Sequence, residues 1–407
     1  MGFLREVPPT AGFAFRIRDL GGLFTGEAPS HGALENDFKQ YLGVEYAGIT
    51  CSGTAGIFYI AQTLKRLSGR TTVIIPEYIC PSVPLAIVRA GLKVQPCDTA
   101  RNDFNFDLAR LDEICGRNSD IAGIVVAHLG GIPADFEPVA AISRKRNILI
   151  IEDCAQSLGA RYRGKKIGTL GDFSFFSLAR GKGLTIYEGG VVTAQRAEYC
   201  DVLKNTIQTL EKNDLPAEVL KIAELIGYCL FYRPYLFWFV YRFPELFWRW
   251  KGDTLKALSE YFSIDFPLQR VSSCRRLFGH LNFRRLQKEF ERQSEKAGEY
   301  IRLLKGLPGI TILSAPQDCT TTYPFMTLIL DDQTRRNRLL GVLEKSGLGV
   351  SQLYTRPVSD YSYLKKLLLP SDCPNARSLA ARQIILSTSA FLRTNEINTI
   401  ASIIRGK

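Results

Sequence analysis

The chain has 407 residues, a formal net charge of +12 from 52 Lys+Arg against 40 Asp+Glu, 46% hydrophobic residues, ten cysteines and three histidines. So much apolar material buries enough surface to offset chain entropy, which excludes disorder, and the length suits two domains or one large α/β unit. The cysteines include no CxxC pair and the histidines no HxxxH or HxxEH spacing, so a disulfide framework and a histidine-rich metal centre are excluded and no metal is expected.

The first residues lack an apolar stretch between a basic start and a cleavage site, and Glu6 stands where a myristoylation signal prefers Ser or Thr. Neither a signal peptide nor an acyl anchor is expected, and the reduced thiols suit the cytoplasm. After the strand-like Ala47–Thr50 comes Ser52-Gly53-Thr54-Ala55-Gly56, opening a helical pattern. Such a start offers backbone N–H groups and a hydroxyl to a phosphate, although it is also an ordinary N-cap. Short apolar runs then alternate with helical patterns at residues 71–76, 92–97, 121–128, 147–153 and 189–194. Runs of this kind suit a mostly parallel sheet buried on both faces, with ligands at the strands' carboxyl ends.

The most informative passage is residues 150–192. A buried strand ends at Glu152-Asp153, and 29 residues beyond Asp153 comes Lys182, between Gly181 and Gly183 after an apolar stretch. A lysine held among apolar residues loses its proton readily, as an imine-forming amine must, but acid and lysine alone would also suit a salt bridge. The passage as a whole resembles the DegT/StrS-type sugar aminotransferases, pyridoxal-phosphate (PLP) enzymes of fold type I. The stations are Glu152-Asp153-Cys154-Ala155-Gln156, Gly168-Thr169-Leu170-Gly171-Asp172, Phe176-Ser177, Lys182 and Glu188-Gly189-Gly190, in the family's order.

The resemblance implies that Lys182 is the Schiff-base lysine and proton carrier, with Asp153 paired to the cofactor's ring nitrogen. It implies Gln156 near the phenolic oxygen, and Gly53, Thr54 and Ser177 at the phosphate. It further implies a homodimer, glutamate as amino donor and a keto-sugar acceptor. His128 opens a turn, His128-Leu129-Gly130-Gly131-Ile132-Pro133-Ala134-Asp135, similar to the family's H-x-x-G-x-P-x-D, and Tyr354 lies in a segment similar to its substrate mouth. His128 is thus either a substrate residue or a buried structural histidine.

The chain departs from the pattern after Pro76, where the expected ring-stacking aromatic falls on Cys80 and Tyr78 is the displaced substitute. It departs again beside the lysine, at Arg180 and Gly183, and at Leu268, where the family often has Asn. A same-fold dehydratase and a non-catalytic membrane-bound scaffold remain as alternatives, though family dehydratases commonly replace the lysine.

Residues 217–251 are read as an addition between a large PLP-binding domain, 1–216, and a long helix with a small α+β domain, 252–407. Twelve aromatics, including all three tryptophans, fall within residues 228–250. The longest uncharged run there, Pro234 to Tyr241, has 8 residues, far short of the ~20 that span a bilayer. Pro234 and Pro244 each suit a helix first turn. In one helix, Tyr235, Trp238, Arg242, Glu245 and Arg249 form a stripe opposite Leu236, Phe237, Phe239, Val240, Phe243, Leu246 and Phe247. Residues 221–285 carry 11 basic and 5 acidic side chains, a net +6. Tryptophans beside arginines and a basic flank suit peripheral attachment to the inner face of a membrane and a lipid-linked acceptor, whereas the family resemblance implies a nucleotide-linked one; a buried dimer or interdomain helix is the alternative reading of the same stripe. No nucleic-acid motif accompanies the charge.

Overall fold

In chain order the strands are β1 (Tyr46–Thr50), β2 (Thr72–Pro76), β3 (Lys93–Cys97), β4 (Ile121–Ala127), β5 (Leu149–Asp153), β6 (Arg161–Tyr162) and β7 (Lys165–Lys166). They continue as β8 (Phe173–Ser177), β9 (Gly190–Ala194), β10 (Ile310–Ile312), β11 (Cys319–Thr320), β12 (Phe325–Leu330) and β13 (Gln383–Ser387). These come from a computed structural model that describes residues 5–15, 32–257 and 260–406.

A seven-stranded sheet of order β1-β9-β8-β5-β4-β2-β3 forms the centre, and β9 alone runs against the other six. The apolar runs of the sequence become β2 to β5 and β9; β2, β4 and β9 are buried throughout, as a sheet covered on both faces requires. The register gathers chemistry at one edge. Ala127 is level with Asp153, Asp153 with Phe175, and both Ser177 and Thr50 with Gly190. The ends of β1, β4, β5 and β8 and the start of β9 therefore open onto one rim, which is where such sheets hold ligands.

A second, antiparallel sheet, β10-β12-β13, has its own core around Met326, Leu328, Leu386 and Tyr300. The chain near the N-terminus ties the two together. Val7 lies in the second core and Phe13 in the first. Between them the Ala11 amide bonds the Pro324 carbonyl at 2.7 Å, and the Phe13 amide bonds the Lys182 carbonyl at 3.2 Å. The long helix expected at the start of the 252–407 region is two helices, Ser273–Phe283 and Leu286–Leu304, because the Arg285 amide closes a tight turn on the Asn282 carbonyl at 3.0 Å.

Between β9 and those helices lie Leu215–Phe231 and then Pro234–Trp250, the latter nearly continuous through a π turn at Trp238–Arg242, with Pro234 and Pro244 in helical first turns. Both present their polar residues to the protein. Glu218 accepts from Arg275, Gln269 and the Ser272 amide; Lys221 pairs with Glu188 at 2.6 Å; buried Glu245 takes Arg242 and Arg249, each at 2.8 Å. The apolar residues Val219, Leu220, Phe239, Val240, Phe243 and Leu246 face outward. Phe237, expected on that apolar stripe, is buried instead, stacked on Tyr241 at 5.0 Å and edge-on to Tyr232.

Candidate active site

Alternation along β5 turns its last two carboxylates to opposite faces. Glu152 is fully buried and accepts from the amides of Gly168, Leu170 and Gly171 at 2.7–2.9 Å. Its fourth donor is His128 Nε2 at 3.2 Å; His128 Nδ1 accepts the Ala134 amide at 3.0 Å, which leaves the ring proton on Nε2. Glu152 thus pins the Gly168–Gly171 turn behind the sheet edge. The buried cluster His128, Glu152 and Cys154 has ligand-like spacing, but these hydrogen bonds already engage its nitrogens and carboxylate.

Asp153 faces the other way, into a cavity of about 490 Å³. Burial pushes its carboxyl up to about 6, against the opposing pull of the Ala155 amide and Lys182. Lys182 faces the same cavity, and burial lowers its ammonium below the ordinary lysine value, against Cys80 and Asp153. Its neighbour Gly181 has φ +73°, and a Cβ there would meet Thr10 Oγ1 at 2.6 Å. Both the backbone and the close approach therefore call for glycine.

Across the cavity stands the first turn of the helix Gly53–Ser68. Ser52 Oγ caps the Ala55 amide at 3.0 Å, so the Gly53 and Thr54 amides have no acceptor among the described residues. Ser177 ends β8 opposite them, and a Cβ on Gly53 would lie 3.4 Å from its Cβ. Amides, hydroxyls and helix dipole together form an anion cradle. Gln156 Oε1 accepts the Gly130 amide at 2.8 Å, which aims its Nε2 at Tyr354 Oη, 3.1 Å away. This donor set fits PLP: an amine for its aldehyde, a buried carboxylate for its ring nitrogen and a cradle for its phosphate.

Gly53, Thr54, Asp153, Gln156, Ser177, Lys182 and Tyr354 thus line one cavity. Tyr78 and His128 do not, which corrects the sequence reading. The Tyr78 hydroxyl donates to the Tyr354 carbonyl at 3.0 Å and accepts its amide at 3.1 Å, while its ring stacks on Phe104, 5.7 Å and 3° apart. It supports the Tyr354 backbone from within the core, and Cys80 lines the cavity in its place, its Sγ 3.2 Å from Ser82 Oγ. His128 is fully buried and spends both ring nitrogens on Glu152 and Ala134. Arg180, Tyr187, Phe262 and Phe266 also line the cavity and escaped the sequence reading as site residues. The first two flank the lysine and were within reach of it; the phenylalanines arrive from 80 or more residues away with no local signal.

Among curated proteins, the chain is 26% identical over 338 residues to the UDP-4-amino-4,6-dideoxy-N-acetyl-beta-L-altrosamine transaminase of Campylobacter jejuni, covering 82% of this chain and 78% of that one. Among solved structures it resembles Helicobacter pylori PseC, an aminotransferase involved in the biosynthesis of pseudoaminic acid, with TM-score 0.76, 18% identity and 98% of each chain covered. The Escherichia coli GDP-4-keto-6-deoxy-D-mannose-3-dehydratase with bound hydrated PLP gives TM-score 0.75 and 17% identity over 98% of this chain and 100% of that one. These structural likenesses establish the fold, that of PLP-dependent transferases of fold type I. The sequence pattern of one family matches residues 19–214 and 269–405, and the internal gap between the two matches holds the outward-facing helices. The chain belongs to the DegT/DnrJ/EryC1/StrS aminotransferase family.

Proposed function

We propose that this chain is a PLP-dependent aminotransferase that moves an amino group, taken from glutamate, to the keto carbon of a sugar, as a homodimer seated on the cytoplasmic face of a membrane. What carries the catalytic part is one cavity holding a lysine of depressed basicity, a buried carboxylate and an anion cradle. Family membership and the transaminase relative from C. jejuni support the sugar acceptor.

Bound PLP supplies an electron sink for the carbon that loses its proton. Asp153, ionised above about pH 6, holds positive charge at the cavity floor. The Gly53 and Thr54 amides and the Ser177 hydroxyl bind phosphate. Lys182, with its proton loosened by burial, would take a proton from the substrate carbon and return it two atoms along, beyond the nitrogen being transferred. Gln156, fixed by the Gly130 amide, orients Tyr354 at the cavity wall.

Glutamate alone should convert bound PLP to its pyridoxamine form with one equivalent of 2-oxoglutarate, and borohydride should trap the cofactor on Lys182. Failure of both, with cofactor absent, overturns the reading in favour of a scaffold; cofactor trapped without conversion by glutamate favours a dehydratase.

The membrane part rests on the outward helices. Of the 17 exposed large hydrophobic side chains among the described residues, 14 lie within 215–261, and Trp250 is 82% exposed. Burying each would contribute about 1.5–3 kcal/mol, so a cover for this face is expected. Among the described residues no helix is long and apolar enough to cross a membrane. An apolar face flanked by Arg233, Arg249 and Lys251 suits the interface of an anionic bilayer. Flotation with anionic liposomes at low and high salt tests this, and absence of lipid binding in both would overturn it.

A further inference from the structure

Beneath the outward helices lies a second cavity, of about 610 Å³, walled by Tyr228, Tyr232, Phe237, Tyr241 and Trp248. Two features fix its orientation. Phe231 and Val240, at its margin, belong to the exposed apolar face, so it opens where that face meets its surroundings. At the other end Arg180 and Tyr187 line both this cavity and the one that holds Lys182. The loop from Arg180 to Tyr187 is thus the wall the two share.

The seam is built with strain. Tyr187 is held at φ +74°, a region that a tyrosine adopts only when its surroundings enforce it, here with its amide on Thr185 Oγ1 at 2.9 Å. The exposed Arg180 guanidinium lies over the Tyr187 ring at 5.2 Å and has no carboxylate partner among the described residues. By contrast, the charged groups of the aromatic cavity are already ion-paired: Glu224 with Lys221, Glu245 with two arginines, Lys256 with Asp253. They leave little to read the edge of a nucleobase, whereas an apolar chain needs nothing from them. An uncommitted cation thus stands between an aromatic cavity and the reactive lysine.

We propose that the aromatic cavity receives the apolar chain of a lipid-carried acceptor, that Arg180 takes the phosphate or diphosphate joining chain to sugar, and that the sugar passes the seam to Lys182. The order apolar chain, anion, sugar matches the order aromatic cavity, Arg180, Lys182. This rests on the aminotransferase reading and names the acceptor's carrier.

All three tryptophans, Trp238, Trp248 and Trp250, lie in these helices, and Trp248 lines the cavity, so tryptophan fluorescence reports binding directly. The holoenzyme would be titrated with farnesyl diphosphate, farnesol, UDP and inorganic diphosphate. Farnesyl diphosphate should bind at least roughly tenfold more tightly than each of the others, and Arg180→Ala should weaken it roughly tenfold, the loss of one charge-assisted contact. Tyr241→Ala should weaken farnesyl diphosphate but leave inorganic diphosphate unaffected. Equal or tighter binding of UDP would overturn the proposal, as would farnesyl diphosphate binding that neither substitution changes, the mark of adsorption to the outer face. The glutamate half-reaction on the same preparation separates the two readings: if it proceeds while farnesyl diphosphate does not bind, only the carrier inference falls.

Discussion

At the carboxyl edge of the large sheet, the polar side chains that frame the cavity are well partnered: Glu152 has four donors, His128 both nitrogens engaged, Gln156 a partner at each end. The helices between 215 and 250 also turn their polar groups inward, onto Glu188, Gln269 and Arg275, but leave their apolar groups outside. In the first region these side chains are satisfied within one chain. The second is finished only when something apolar covers it. The family pattern matches the rim but not the helices that carry the exposed apolar surface.

The largest expected effect is at the rim. Lys182→Ala should lower amino transfer by on the order of 10²–10⁴, the contribution of a positioned general base, or abolish it, as measured by single-turnover kinetics. Asp153→Asn should also impair it, and in the wild type cofactor affinity should fall as pH drops through about 6, where the carboxylate takes a proton and ceases to pair with a positive ring nitrogen. An affinity flat from pH 8 to 5 would contradict the role given to Asp153.

At the seat of the helices, Glu218→Ala should destabilise by about 3–5 kcal/mol, because it strands the fully buried Arg275 guanidinium. Burial alone would raise the Glu218 carboxyl, but Arg275, Ser272 and Gln269 hold it below its usual value. Phe237→Ala, which empties a buried site, should cost about 3–5 kcal/mol, whereas Phe239→Ala and Phe243→Ala should change stability by less than about 0.5 kcal/mol yet weaken liposome binding. Equal losses for Phe237 and Phe243 would erase the distinction between inner and outer faces.

The smallest effect concerns pH. Burial, with Glu245 and Glu344 nearby, pushes the Glu6 carboxyl up to about 7, although Arg242 opposes this. A raised carboxyl binds its proton more tightly when folded, so stability is greatest below the ordinary glutamate range and declines as pH rises towards 7. Glu6→Gln removes that decline. The variant should match or fall below the wild type in thermal melts at pH 4.5 and exceed it at pH 8.

Legibility in the sequence followed the range of the interactions. All strands of the large sheet except β8, with Lys182, Asp153 and Gln156, could be read because apolar runs and the motif at residues 150–192 are local signals, and a largely parallel register then brings their ends together. Tyr78 and His128 misled for the same reason: each stands at a motif position, but only the folded core decides which way the side chain turns, and both turn inward. The amphipathic stripe of residues 235–249 was visible from its 3- and 4-residue spacing. Which residues turn inward was not: Phe237 leaves the apolar stripe to pack on Tyr232 and Tyr241, and spacing alone does not weigh such contacts.

Lys182 and Asp153 are proposed to serve amino transfer. The direct measurement is the glutamate half-reaction on PLP-loaded protein, followed by cofactor absorbance and release of 2-oxoglutarate, in wild type and Lys182→Ala. Full conversion to the pyridoxamine form is expected in the wild type and, in the variant, none or conversion slower by on the order of 10²–10⁴; conversion of both at equal rates, or of neither with cofactor bound, would contradict the role given to Lys182.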